Sequence, residues 1–60
     1  MMTNRDIRQA RKDGYSAWEI LHQVVDSGVE FPDASYRVSQ ALNMDSEQRE
    51  QMERDYDECA

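Results

Sequence analysis

Sixty residues carry seven Lys or Arg against thirteen Asp or Glu, a net charge of −6, and 38% of the chain is hydrophobic. That length allows one domain, residues 1–60, with a small core, and the single cysteine, Cys59, excludes an intramolecular disulfide and a Cys-based zinc site. No signal-peptide pattern and no apolar run long enough to cross a bilayer is present, so a cytoplasmic location without membrane contact is expected.

The charge is unevenly spread. Residues 1–14 sum to +2, residues 15–42 to −3 and residues 43–60 to −5. A gradient of this kind suggests two faces of opposite sign.

After Met1 and Met2, expected to fray, Thr3 is a good N-cap with Asp6 three residues on, and Gly14 is a natural stop. The first helix is therefore read as Asn4–Asp13. Its apolar face is narrow, Ile7 and Ala10, with Arg11 at the border and Arg5, Arg8 and Lys12 together on the opposite side. No acid stands four residues from any of those three, so the helix does not neutralise its own basic face.

The stretch from Ser16 to Ser27 defines its helix most fully. Ser16 and Glu19 form an S-x-x-E capping box, Tyr15 is placed to staple onto Ile20, and Gly28 supplies a left-handed stop. At about 100° per residue, Ile20, Val24, Ala17, Leu21, Val25 and Trp18 fall within an arc of roughly 160°. One partner helix cannot cover an arc that wide. The first and third helices are expected to sandwich it.

Val29 and Phe31 follow, and Pro32 biases Phe31 toward extended backbone, so both are expected to plug the end of the core. Asp33 then caps a third helix from Ala34 to about Asn43, with Pro32 at the first helical position as an alternative start. Ala34, Val38, Ala41 and Leu42 share its apolar face; Tyr36, Ser39, Gln40 and Asn43 take the other. A fourth helix begins after Asp45 (with Gln48) or Ser46, and runs through a thin stripe of Met52, Tyr56 and Cys59. Glu47, Glu50, Asp57 and Glu58 lie away from that stripe. Glu50–Arg54 and Arg49–Glu53 are i,i+4 pairs, while the acids of the last turn oppose the helix dipole and should fray it. The fold class read from this pattern is all-α, a small bundle of three to four short helices.

Chemistry is scarce. His22, the only histidine, stands on the polar side of the central helix with Asp26 at i+4, the spacing of a surface hydrogen bond. Cys59 stands among acids, not beside the cations that activate a nucleophilic thiol. The Asp55–Glu58 cluster lacks the glycine and spacing of an EF-hand, and both glycines end helices and so form no phosphate loop. No catalytic residue, cofactor or metal ligand is assigned, and an enzyme is not expected. Helix, Gly28 and a second helix bearing Tyr36-Arg37-Val38-Ser39 suggest a degenerate helix-turn-helix. Against it stand a connection from Gly28 to Asp33, longer than the usual turn, and a chain of pI ≈ 4.5 with Arg37 alone as a cation in the candidate reading helix.

Two blocks, Thr3-Asn-Arg-Asp-Ile-Arg-Gln-Ala-Arg-Lys-Asp-Gly-Tyr-Ser-Ala-Trp-Glu-Ile-Leu21 and Gly28-Val-Glu-Phe-Pro-Asp-Ala-Ser-Tyr-Arg-Val-Ser-Gln-Ala-Leu42, resemble the small uncharacterised early-region proteins of lambda-like enterobacterial phages and prophages. The Asp55-Tyr-Asp-Glu-Cys59 tail adds to the likeness. The resemblance implies a chain that works by binding host or phage proteins; it transfers no activity to particular residues. The reading is thus a small protein-binding modulator acting on a host or phage protein, through Arg5, Arg8 and Lys12, through Tyr36, or through Glu47 and Glu50. A weak homodimer is compatible with it. A transcriptional or nucleic-acid-associated regulator is the alternative.

Overall fold

Four helices form in the computed structural model, which describes residues 2–59: α1 (Asn4–Lys12), α2 (Ala17–Asp26), α3 (Phe31–Ala41) and α4 (Ser46–Cys59). The chain is a small all-α bundle, with no strand among the described residues. The frayed ends expected at Met1 and Ala60 lie outside those residues. Met2 is half-buried and packs on the core, and α4 stays helical to Cys59.

The caps follow the side chains. Thr3 Oγ1 accepts from the Asp6 N–H at 3.2 Å while the Asp6 carboxylate accepts from the Thr3 N–H at 3.0 Å, a complete capping box. At α2 the box is present, with Glu19 at its centre: the carboxylate accepts from the Ser16 N–H at 3.0 Å and the Ser16 hydroxyl at 2.9 Å. Tyr15, expected to staple this turn, keeps 44% of its surface exposed. Asp45 caps α4 with Gln48 in return, at 2.8 and 3.1 Å. Gly14 ends α1 at φ 104°, and the Tyr15 N–H reaches back to the Ala10 carbonyl at 3.2 Å, a Schellman closure.

Two carboxyls feel these bonds directly. The backbone N–H of Thr3, helped by its hydroxyl, lowers the pKa of Asp6, and the N–H of Ser16, again with the hydroxyl, lowers that of Glu19. A carboxylate whose folded pKa is depressed stabilises the fold above its unfolded value, about 4, and that contribution is lost as pH falls through the folded value. Helix content followed by circular dichroism should therefore hold from pH 7 to about pH 5 and decline on further acidification. Asp6→Asn with Glu19→Gln should flatten that decline. At neutral pH, Ser16→Ala should cost about 1 kcal/mol in chemical denaturation.

α3 departs from the expected boundaries at both ends. It begins at Phe31 with Glu30 as N-cap, and the Ala34 N–H bonds the Glu30 carbonyl at 2.8 Å. The extended bias of a residue before proline yields here to burial, because a helical Phe31 brings its ring to Tyr56, centroids 5.0 Å apart. Pro32 loses nothing in the first turn, where its missing N–H would have had no intrahelical partner. At the other end Asn43, expected inside the helix, takes φ 56° and closes it. The Met44 N–H then bonds the Ser39 carbonyl at 2.8 Å, a second Schellman closure with asparagine in the place of glycine.

The core collects Ile7 and Ala10 of α1, Ile20, Leu21 and Val24 of α2, Val29, then Ala34, Val38 and Ala41 of α3, and Met52 of α4. Ala17, Trp18 and Val25 complete the wide arc of α2 as half-buried neighbours. The expected sandwich of α2 by its neighbours in sequence is only part of the arrangement. α2 packs chiefly on α3 and α4, while α1 lies more against α3 than against α2. The narrow face of α1 cannot cover the arc, and the Met52–Tyr56 stripe of α4 covers what remains. Ser39, expected on the polar face, is 4% exposed and donates its hydroxyl to the Tyr36 carbonyl at 2.8 Å.

Candidate functional site

The side chains expected to carry function fall in three places. On α1, the Arg8 Nε donates to the Ala41 carbonyl at 3.0 Å, so this cation ties α1 to the C-terminal end of α3. Arg11, expected only at the border of the apolar face, donates through Nη1 to the Tyr15 carbonyl at 3.1 Å. Arg8, Arg11 and Lys12 then line one open cleft of about 500 Å³ with Ala41, Leu42 and Asn43. Arg5 is exposed but does not line it. The cleft thus gathers Arg8, Arg11 and Lys12, while Arg5 stays on α1 outside it. Positions 8, 11 and 12 are spaced i, i+3, i+4, a signal that could have found Arg11. What selects that side of α1 is the arrival of the end of α3, which no local pattern announces.

Tyr36 is 56% exposed on α3, and the Arg49 guanidinium lies 6.0 Å from its ring centroid, a cation–π distance. Beneath it, sequence reasoning missed a polar clasp. Ser35 is fully buried, donates to the Glu53 carboxylate and accepts from Arg49 Nε at 3.1 Å, tying α3 to α4. Ser35 follows Ala34 on the buried face, and Arg49–Glu53 is the i,i+4 pair read from the sequence, 3.6 Å apart. The pair was legible; the burial of Ser35 against it was not.

Glu47 and Glu50 line a shallow hollow of about 300 Å³ with Gln51 and Arg54, and Arg54 bonds Glu50 at 2.8 Å. This acidic face belongs to α4, and no Cα of α4 comes within 8 Å of one of α1 among the described residues. The basic and acidic faces therefore do not neutralise each other within the chain.

Chemistry beyond charge is sparse here. His22 Nδ1 lies 3.1 Å from the Asp26 carboxylate with both groups well exposed, the geometry of a surface pair, and the His22 ring lies 5.7 Å from that of Tyr56. Cys59 is exposed and free. Among the described residues, no three His, Cys, Asp or Glu side chains gather as a metal site, and no helix is long and apolar enough to cross a membrane. Comparison with models of known families, with curated proteins and with solved structures finds no match to this chain.

Proposed function

We propose that the protein acts by stoichiometric binding of another protein, a host or phage protein in the cytoplasm of a bacterium, and not by catalysis. The observation that carries this reading is the segregation of opposite charge onto separate faces, a cationic cleft between the ends of α1 and α3 and an acidic face on α4, a helix that does not pack on α1. Complementary potential of this kind selects partners and speeds encounter. The likeness of two sequence blocks to small early-region phage proteins supports the same reading. Affinity capture from a bacterial lysate, read by mass spectrometry, should retain one protein near equimolar amounts at low salt and release it as salt shortens the Debye length from about 10 Å at 0.1 M to about 3 Å at 1 M. Capture of nothing at low salt would overturn the proposal.

The second reading is nucleic-acid regulation, and one observation favours it. Because α3 starts at Phe31, the α2–α3 connection is only residues 27–30, the length of a helix-turn-helix turn, so the objection from loop length falls. The charge objection stands: α3 has Asp33 in its first turn and Glu30 at its N-cap. Retention on duplex DNA with a steep salt dependence would favour this second reading.

A further inference from the structure

The cationic cleft is not an isolated hollow. A second one, of about 260 Å³, adjoins it, sharing Arg11 and Leu42 and adding Ala17, Met44 and Gln48. The two form a continuous groove with an apolar floor of half-buried Leu42, Met44 and Ala17, and a wall of Arg8, Arg11 and Lys12. In a chain with thirteen acids and seven cations, this groove has three of the cations and none of the acids. Resting on the protein-binding reading above, we propose that the groove is the docking site for an acidic amphipathic helix of the partner, with an apolar anchor over Leu42 and Met44 and carboxylates on Arg8, Arg11 and Lys12.

Three features set the chemistry of the occupant. The groove is wide and open, so a small anion in it would stay hydrated, whereas a helix can lay an apolar stripe along the floor and flank it with charge. Arg8 and Arg11 are each held by one hydrogen bond to a backbone carbonyl, which positions the guanidinium in advance and leaves further N–H donors for carboxylates. A second copy of the chain fits less well. Its acidic α4 has Met52 and Tyr56 turned into its own core, so it would bring carboxylates without an anchor, and both chains carry −6.

The test titrates the isotope-labelled full chain with a synthetic helix about 15 residues long, carrying Leu at i, i+3, i+4 and i+7 and Glu on the flanks. A scrambled peptide of the same composition and a DNA duplex serve as comparisons. Amide resonances of Lys12, Ala17, Asn43 and Met44 should shift, and the scrambled peptide should bind at least about tenfold more weakly. Lys12→Glu with Gln48→Glu, both exposed, with the Asp45 cap kept by glutamate, should weaken the amphipathic peptide by about tenfold or more, while Arg54→Glu on α4 should not. Equal binding of the scrambled peptide, shifts centred on α4, no binding, DNA competing for the same resonances, or the same shifts produced by raising protein concentration alone would each overturn the groove. Lysate capture with the double variant separates the two proposals. A partner retained by both wild type and variant would leave protein binding standing and remove the groove; a partner lost only from the variant supports both.

Discussion

Leu21→Ala should lower the unfolding free energy by about 2–5 kcal/mol, the range for a buried leucine truncated in a core that cannot fully collapse. Leu21 is fully buried on α2, the helix that α1, α3 and α4 all pack against, so the cavity opens where the bundle has least slack. At about 0.05–0.15 kcal/mol per residue, a domain of 60 residues has only some 3–9 kcal/mol in total. The loss is therefore a large share of the total and should move the urea midpoint well below that of the wild type. Gln23→Ala, exposed on the far side of the same helix, should stay within about 0.5 kcal/mol of wild type. Urea denaturation of the two variants checks both values, and equal losses would mean that the core face of α2 is misassigned.

Met52→Ala should cost a similar amount, about 2–5 kcal/mol, but its effect should be local first. Met52 is the one α4 side chain in the buried core, at 2% exposure; the other ties of α4 include the Tyr56 ring against Phe31 and His22, Arg49 over the Tyr36 ring, and the Ser35–Glu53–Arg49 clasp. On the α4 side those remaining contacts are made by half-exposed Arg49, Glu53 and Tyr56, so removing the Met52 side chain should let α4 open while α1, α2 and α3 keep the rest of the core. Amide exchange read residue by residue should then show lost protection across residues 46–59 before residues 17–41. Uniform loss across all four helices would show that α4 belongs to a single cooperative unit.

The groove and the core share one segment. Leu42 and Met44 are hydrophobic and lie at the core's edge, half-covered by their own chain. A partner seated there would add apolar burial to a domain whose own core is small, so its binding should also raise the melting temperature by mass action.

What local chemistry determines here was legible in the residues. The capping boxes at Thr3 and Ser16, the glycine stops at 14 and 28, the 3.6-residue rhythm of Ile20, Leu21 and Val24, and the i,i+4 pairs of α4 each involve residues within one or two turns of one another, and each stands in the structure. What only the tertiary structure decided involves residues far apart in the chain. Phe31 is helical because Tyr56, on another helix, rewards that placement more than proline penalises it. Ser35 is buried because Glu53 and Arg49 arrive to satisfy its hydroxyl. Arg8 ties two helices because the Ala41 carbonyl, left without an intrahelical donor at the end of α3, comes within 3.0 Å of it. The cationic groove has the same origin: the rhythm of α1 sets which cations share a side, but only the docking of α3 and the turn into α4 supplies the apolar floor that makes that side a groove.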